Sequence, residues 1–527
     1  MGFIRVTADG QGFEDAANGA RFVPIGSNYC AVVAGQATGG YCGQVFPLFG
    51  RDAHTEADGV AEGKRAFARL AALHLNVVRI WLEPDIFFPH GRRLDPAGAA
   101  QLDALLDAGR EFGLRLSVGM HLCAIPSGGK LASHEPPHDE RLREMLYLLA
   151  QRWGHDEQLF SWTIIGEGSL PWQTAWLAQR WPAFLQYWYH DDLTALQSAW
   201  GQTDRAFSSF QDAPIPPRNV GYAAGLGAVN PGNLDRLPAD PWAGSTWRYD
   251  WRLFLEEIGA ARVHAEAQAL RAGGARQMIT VGNNSWIFPN LCCGQMGLGY
   301  NPYFYLDSVD YLCQHHYPAP QCLPGGNGDP LDNEAAMQSW EDAVGVMGRI
   351  YRSLGKPVVL EEWGWYGGGD SAFLNRLPFR ALDEQDAYGH RLMEATQHTY
   401  SGWLHWLWRD MPAATDITNR SGLYHADGET LKPWGRRYGA WAERLRREPP
   451  VVQAATRIVE MPMQALYTCD RTHECWLQEQ MRASRAGGPG DYRPIFPRKP
   501  MTEVRTDLTG AAPVECRVVD TPMGTRE

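Results

Sequence analysis

Eight short apolar segments alternate with helical segments along the chain, and this alternation restricts the fold more than any other feature of the sequence. The apolar segments are residues 22–30, 76–83, 115–122, 160–168, 277–284, 309–318, 355–364 and 402–409. Between them, apolar residues recur at helical spacing, as at Leu102, Leu105 and Leu106. Parallel strands need helical crossovers and bury both faces. The pattern predicts an α/β fold, a (β/α)8 TIM barrel, with a doubly wound open sheet as the structural alternative.

The predicted barrel occupies residues 1–446 and carries two additions. A long insertion after strand four, residues 169–247, is rich in Trp, Pro and Gly, and loops after barrel strands are where specificity is built. Residues 447–527 change in character and predict a small C-terminal extension that is β-rich or irregular. No G-x-G-x-x-G or P-loop motif follows the first strand, which argues against a nucleotide-binding fold.

Charge and cysteine content narrow the classes of partner. The 48 Lys and Arg against 60 Asp and Glu give a formal charge of -12, and no basic block occurs, which argues against nucleic acid or an anionic membrane. The N-terminus has no apolar export segment and no 18-residue apolar run exists, so we expect a soluble cytoplasmic protein. Ten cysteines without a C-x-x-C pair are expected to be mostly reduced thiols rather than zinc ligands. The charge and composition therefore favour a small, neutral molecule as the binding partner.

Strand seven runs straight from apolar residues into two adjacent carboxylates, Glu361 and Glu362. Neighbouring residues of a strand point to opposite faces, so we expect only one of the two to enter the pocket and the other to act as a structural partner. Strand two carries Arg79 in its middle, and a buried arginine needs a carboxylate. A purely structural ion pair between Arg79 and Glu361 is therefore one open interpretation.

The C-terminal ends of the barrel strands are where active sites of this fold lie. The polar and aromatic residues predicted at those ends are Asn28, Arg79, His121, Glu167, Asn283 or Asn284, His315 or His316, Tyr317, Glu361 or Glu362, Trp406 and Trp408. Glycosidic bond cleavage needs one carboxylic acid to protonate the leaving oxygen and a second to attack the anomeric carbon or activate water. Glutamates on strands four and seven, with aromatic rings to hold a sugar, meet that requirement.

These motifs resemble the clan A glycoside hydrolases, and most closely glycoside hydrolase family 5, over roughly residues 20 to 445. The family ends strand seven in Glu, an aromatic residue and Gly, which Glu362, Trp363 and Gly364 match, so the resemblance makes Glu362 the nucleophile. It makes Glu167, at the end of strand four, the acid/base. The remaining matches to family positions that bind substrate or support the nucleophile are Arg79, His121, His315, Tyr317, Trp406 and, as a possible substitute for Trp406, Trp408.

Two features bear on the sugar. Residues 184–201 resemble the region after strand four in family 42 β-galactosidases. Most clan A enzymes place Asn directly before the acid/base to bond the 2-hydroxyl, whereas this chain has Gly166 there. Asn283 or Asn284 could supply that contact, and some mannan-active families also lack the Asn. The resemblance therefore implies a β-mannoside, mannan or β-galactoside as substrate.

The sequence thus predicts a retaining β-glycoside hydrolase that works by double displacement, with the two carboxyl groups about 5 to 5.5 Å apart and without metal or organic cofactor. A metal-dependent barrel with His121, His315, His316 and a glutamate as ligands is one alternative, and a catalytically inactive carbohydrate-binding barrel is another. His121 and His316 as buried core histidines also stay open. So does a packing role for the insertion tryptophans, namely Trp181, Trp188 and Trp200.

Overall fold

The computed structural model of the chain describes a large central part and several shorter pieces. The described residues are 2–29, 56–82, 87–88, 93–120, 136–166, 168, 170–201, 203–217, 242, 244–282, 299–317, 334–365, 381–412, 420–468, 476, 479–484 and 488–496.

The strands and helices follow the predicted alternation. The strands are β1 Ile4–Val6, β2 Phe13–Asp15, β3 Arg21–Phe22, β4 Ile25–Asn28, β5 Val77–Leu82, β6 Arg115–Met120, β7 Leu159–Gly166, β8 Met278–Gly282, β9 Leu312–His316, β10 Val358–Trp363, β11 Gly402–His405, β12 Arg457–Pro462 and β13 Gly490–Ile495. The helices are α1 Glu56–Ala72, α2 Pro96–Phe112, α3 Pro136–Trp153, α4 Ala175–Trp188, α5 Leu193–Trp200, α6 Thr246–Ala272, α7 Pro302–Tyr305, α8 Glu334–Arg352, α9 Leu382–Thr396, α10 Pro433–Arg447 and α11 Met463–Thr468.

Eight parallel strands form the barrel, which confirms the predicted fold. They are hydrogen-bonded in the order β8-β7-β6-β5-β4-β11-β10-β9. Contacts between the segments at β8 and β9 bring the two ends of this sheet together. The Asp310 amide donates to the Ile279 carbonyl at 2.8 Å, and its carboxylate accepts from the Ile279 amide at 2.6 Å. The Thr280 hydroxyl donates to the Tyr311 carbonyl at 2.9 Å. The sheet is therefore curled into a barrel and is not a doubly wound open sheet.

Local sequence signals explain where α2 begins and ends. Asp95 caps its N-terminus, because the carboxylate accepts from the Gly98 amide at 3.0 Å, and proline occupies the first turn. Gly113 ends the helix with φ of 71°, a left-handed conformation that glycine adopts without strain. The chain then enters β6 directly. This short connection fixes where β6 begins, at the N-terminal end of the barrel strands.

A small antiparallel sheet, β1-β2-β3, closes the N-terminal end of the barrel. Phe13 is fully buried there, with its ring edge-on to Phe160 at 5.7 Å and to Tyr311 at 5.4 Å between centroids. Strands of two or three residues are too short for alternation to reveal, so the sequence did not indicate this sheet. It seals the end of the barrel opposite the one where the strand-end carboxylates lie.

The insertion after strand four is held together by its own aromatic residues. The Trp181 ring stacks on Phe184 at 5.6 Å and on Trp200 at 5.9 Å, and it meets Trp251 of α6 edge-on at 4.9 Å. Trp188 stacks on Phe184 at 5.8 Å. These contacts match the packing interpretation of Trp181, Trp188 and Trp200. The insertion is thereby anchored on α6, the helix that leads into strand five.

The C-terminal segment packs on the outside of the barrel helices. Strands β12 and β13 pair in parallel, and the Tyr492 amide donates to the Ser353 hydroxyl, just after α8, at 2.7 Å. The Asn301 amide group donates to the Tyr467 hydroxyl at 2.6 Å. The bounds of the C-terminal extension, residues 447–527, stay a prediction. Within the described part of the chain, no helix has the length and apolar character needed to cross a membrane.

Replacing Phe13 with Ala should destabilise the whole barrel, because it opens a cavity among Phe160, Tyr311 and their neighbours. The expected loss is about 3–5 kcal/mol in the free energy of unfolding, measured by urea titration. Val451→Ala is the matched surface control, since that side chain is 78% exposed and its loss should change little. Equal stabilities for the two variants would show that the N-terminal sheet is not part of the folding unit.

Candidate active site

Strand β10 turns both of its glutamates toward the same side chain, Arg79. Its pairing register shifts against β9 between Leu360 and Glu362, and against β11 between Leu360 and Trp363. Such a bulge breaks the alternation of side chains and rotates the residues that follow it. The expectation that Glu361 and Glu362 point to opposite faces is therefore wrong, whereas Glu361 is fully buried, as expected of a structural partner. Adjacent positions share one face because the strand is irregular at that point.

Arg79 lies between the two carboxylates and is fully buried. Its Nη2 atom is 3.2 Å from Glu361 Oε2, and its Nη1 atom donates to Glu362 Oε1 in a close ion pair. Burial opposes the charge, but Glu361 and Glu362 outweigh it and raise the pKa of Arg79 above its ordinary value. The predicted need of Arg79 for a carboxylate is confirmed. The partner is a pair of carboxylates rather than Glu361 alone.

His315 and Tyr317, two residues apart on strand six, complete the surroundings of Glu362. One ring nitrogen of His315 faces each carboxylate, with Nδ1 3.4 Å from Glu362 Oε2 and Nε2 3.4 Å from Glu361 Oε2. The Tyr317 hydroxyl donates to Glu362 Oε2 at 2.9 Å. The i and i+2 spacing thus places both side chains beside the predicted nucleophile.

His316 faces the other way and packs edge-on against Trp340 of α8, with the ring centroids 5.4 Å apart. Burial lowers the pKa of His316 to about 4, so it is neutral at physiological pH. His315 and His316 therefore do not share a site, and the core interpretation of His316 holds. Among the described residues, no group of three or more His, Cys, Asp or Glu is arranged to hold a metal ion.

The two glutamates differ in depth and in partners. Glu361 is fully buried, and it accepts from the Thr163 hydroxyl at 2.8 Å as well as facing Arg79 and His315. Burial favours its neutral form, but Arg79, His315 and Thr163 together hold its pKa below the usual 4.5. Glu362 is 6% exposed. Glu361 is thus a buried anion with all of its described contacts inside the barrel, and Glu362 is the carboxylate nearer to solvent.

Asn28 supports the irregular part of β10. Its amide nitrogen donates to the Glu361 carbonyl at 3.0 Å and to the His405 carbonyl at 3.3 Å. Its amide oxygen accepts from Arg79 Nη1 at 3.0 Å. A bulge takes a backbone group out of the regular ladder, and a buried carbonyl without a donor would be costly. The strand-one residue that the sequence placed at the mouth without a role thus fixes the bulge and the arginine together.

Trp81 is the aromatic residue of the site that sequence reasoning missed. It lies two positions after Arg79 on β5, and the Arg79 guanidinium lies 4.0 Å from the centre of its ring. A Cβ atom built on Gly166 would lie 2.4 Å from Trp81 Cη2, and one on Gly119 would lie 2.6 Å from Cε3. The indole therefore extends across strand three to strand four. The sequence signal that could have found Trp81 is its position two residues after Arg79 on the same strand, which places both side chains on one face.

Strand eight brings its tryptophans into packed surroundings. The Trp406 amide donates to the Trp363 carbonyl at 2.8 Å. Trp408 is buried, with its ring 5.9 Å from that of Tyr29 and 6.4 Å from that of Tyr424. Sugar contact by Trp406 and Trp408 stays a prediction. The same holds for Glu167, His121, Asn283 and Asn284, which lie outside the described residues.

The side of β10 away from the pocket is fixed by an aromatic cluster. Trp363 meets His405 edge-on at 5.2 Å and Trp434 at 5.6 Å. The Trp434 indole donates to His405 Nε2 at 3.0 Å, and burial lowers the pKa of His405 to about 3, so the histidine is neutral. Because Trp363 follows Glu362 directly, this cluster restricts the backbone that carries the predicted nucleophile.

Solved structures of two glycoside hydrolase families share this fold. An exo-beta-1,4-mannosidase from Opitutaceae bacterium strain TAV5 gives a TM-score of 0.53 at 18% identity, over 87% of this chain and 64% of that one. A GH42 beta-galactosidase from G. stearothermophilus gives 0.65 at 13% identity, over 90% and 65%. The GH5_18 protein from Streptomyces cattleya, in complex with Manβ1-4GlcNAc, gives 0.54 at 15% identity, over 82% and 89%.

This chain covers less than two thirds of the length of the mannosidase and of the galactosidase. The sequence matches no protein-family model, and comparison with curated proteins finds no match either. The likeness thus rests on the three-dimensional structure. It establishes that the chain has the (β/α)8 barrel fold of the clan A glycoside hydrolases, and it confirms the predicted resemblance at that level.

Replacing Glu361 with Gln should make the free energy of unfolding depend less on pH in the acidic range. A carboxylate whose pKa is lower in the folded than in the unfolded protein stabilises the fold at pH values above its unfolded-state pKa. That stabilisation is lost as the pH falls through the folded-state pKa. The stability difference between wild type and Glu361→Gln should be constant at neutral pH and shrink once pH falls below 4.5, the usual carboxyl pKa. It should stay below the roughly 3–5 kcal/mol of a broken buried pair, because Arg79 retains Glu362.

Urea titrations over a pH series measure this difference, with Glu429→Gln as control. Glu429 is paired with Arg69 at 3.1 Å on the surface, with 72% of its side chain exposed, so its loss should cost at most about 1 kcal/mol. A stability difference for Glu361→Gln that does not change with pH would mean that Glu361 is not ionised in the folded protein.

Proposed function

We propose that this protein is a retaining β-glycoside hydrolase with Glu362 as its nucleophile. The observation that carries the proposal is the position of Glu362 at the C-terminal end of β10, where Arg79 and Tyr317 bind it and where it is 6% exposed while Glu361 is fully buried. Active sites of this fold lie at that end of the barrel. A carboxylate held in one orientation by charged and hydroxyl donors is suited to attack an electrophilic carbon.

The reaction proceeds in two displacements. Glu362 attacks the anomeric carbon from the face opposite the leaving group, while Glu167 protonates the departing oxygen. Glu167 then takes a proton from water, which breaks the glycosyl-enzyme bond and regenerates Glu362. Arg79 and Tyr317 keep Glu362 ionised and oriented before attack. When Glu362 forms the covalent bond to the sugar, it loses its negative charge. The buried anion Glu361 then remains as the counter-charge of Arg79.

The carbohydrate substrate is a β-mannoside, a mannan or a β-galactoside. Support comes from the fold shared with a beta-mannosidase and with beta-galactosidases, and from the insertion that resembles family 42. A metal-dependent reaction through both histidines is disfavoured, since His315 and His316 face opposite sides of β9. Aryl β-mannoside, β-galactoside, β-glucoside and β-fucoside, tested in parallel with mannan, identify the preferred sugar.

Removing the side chain in Glu362→Ala should lower hydrolysis of the preferred aryl β-glycoside by roughly 10⁴–10⁶-fold, because no covalent intermediate can form. Azide should restore turnover from the vacated face and give an α-glycosyl azide, identified by NMR. In Glu167→Ala, azide should attack the intermediate instead and give a β-glycosyl azide. Opposite products from the two variants assign both roles in one experiment.

Surface variant Glu429→Ala serves as the control and should hydrolyse the substrate at the wild-type rate. Full activity of Glu362→Ala would overturn the nucleophile assignment. Sugar binding by the wild type without any turnover would instead point to a catalytically inactive carbohydrate-binding barrel.

A further inference from the structure

We infer that Trp81 forms the sugar-facing wall beside Glu362, so that substrate is recognised there by an apolar face rather than by a hydrogen-bonding side chain at position 166. The inference rests on the proposed function, because it assumes that a sugar reacts at Glu362. It adds a specificity-determining residue and a property of the substrate, namely that its hydroxyl nearest the reacting carbon needs no polar partner from strand four.

A chain of contacts connects Trp81 to the reacting carboxylate of Glu362. Trp81 and Arg79 are two positions apart on β5 and share a face, and the guanidinium lies 4.0 Å from the ring centre. The same guanidinium binds Glu362 through Nη1. The indole, which is 4% exposed, is therefore separated from the nucleophile by a single group, and we place a sugar bound for attack by Glu362 against it.

The second step is the space that the indole occupies. Trp81 lies near the end of β5, whereas Gly119 and Gly166 lie at the ends of β6 and β7. Any side chain at 166 would begin 2.4 Å from the ring, and any at 119 would begin 2.6 Å from it. Both distances are far below van der Waals contact. The ring thus takes the place of side chains on two neighbouring strands, including the residue directly before Glu167.

The third step is the chemistry of the bound sugar. The anomeric carbon is bonded to the ring oxygen and to C2, and only C2 carries a hydroxyl. The residue directly before the acid/base bonds the 2-hydroxyl in most clan A enzymes, and here the Trp81 ring fills the space of that residue, so we place the wall on the C2 side of the sugar. An indole offers a flat apolar face that packs on sugar C–H groups, and from position 166 no amide or hydroxyl can project. The site should consequently accept a sugar that has lost its 2-hydroxyl, which is the opposite of what is expected if Asn283 or Asn284 supplies that contact.

The first experiment uses the unmodified protein. Hydrogen bonds to the 2-hydroxyl commonly supply several kcal/mol in the transition state, so glycosidases that use them lose roughly 10³-fold in kcat/KM without it. Here the kcat/KM of the preferred aryl β-glycoside should exceed that of its 2-deoxy analogue by no more than about tenfold, after division by their spontaneous hydrolysis rates. A ratio near 10³ would overturn the inference while leaving the nucleophile assignment intact.

The second experiment tests the wall itself. Trp81→Leu should raise KM for the aryl β-glycoside about tenfold, because a flat face is lost, and Trp81→Phe should restore most of it. Trp162→Leu is the matched control, since Trp162 is also a buried barrel-strand tryptophan, on β7, but donates to Gln277 at 3.0 Å, away from the mouth. It should lower stability without changing KM. An unchanged KM in folded Trp81→Leu would refute the wall.

The two proposals fail separately. If the wild type hydrolyses no aryl β-glycoside, or if Glu362→Ala is fully active, the proposed function is wrong. If hydrolysis depends on Glu362 but Trp81→Leu behaves as Trp162→Leu does, only the role of Trp81 is wrong.

Discussion

The site is organised by one buried guanidinium held between two carboxylates. Removing Arg79 from water costs several kcal/mol, and that cost is offset only because Glu361 and Glu362 both approach it. Two carboxylates that close together would repel each other, so the arginine is equally required by them. Neither glutamate could occupy its position without Arg79. The orientation of the candidate nucleophile is thus a consequence of charge balance in the barrel interior.

That balance depends on a local irregularity of the backbone. A regular β10 would turn one of the two glutamates away from Arg79 and toward the helices. The bulge after Leu360 brings both inward, and Asn28 satisfies the Glu361 carbonyl while also binding Arg79. The same amide therefore supports backbone and charge. On the opposite side, the packing of Trp363 against His405 and Trp434 holds the strand in this conformation.

Function and specificity follow from how this cluster is divided by depth. Glu361 stays inside, where Thr163 and His315 hold it as a fixed anion, and Glu362 reaches the mouth, where Tyr317 binds it. Trp81 then covers Arg79 from the side of strands three and four. One tryptophan accordingly shields the buried charge from water and shapes the surface that a sugar would meet. With the role inferred for Trp81, a change there should affect both the electrostatics of the site and the recognition of the sugar.

The sequence by itself determined an α/β fold with eight buried parallel strands, because apolar segments separated by helices leave few ways to bury both strand faces. The contacts between the segments at β8 and β9 decided for a barrel over an open sheet. The sequence also determined that Arg79 needs carboxylates and that His315 and Tyr317 share a face, since both follow from composition and spacing. Only the tertiary structure decided that Glu361 joins Glu362, because a bulge is set by the register of neighbouring strands. Only the tertiary structure explains why position 166 is a glycine. The ring that excludes a side chain there belongs to Trp81, 85 positions away along the chain.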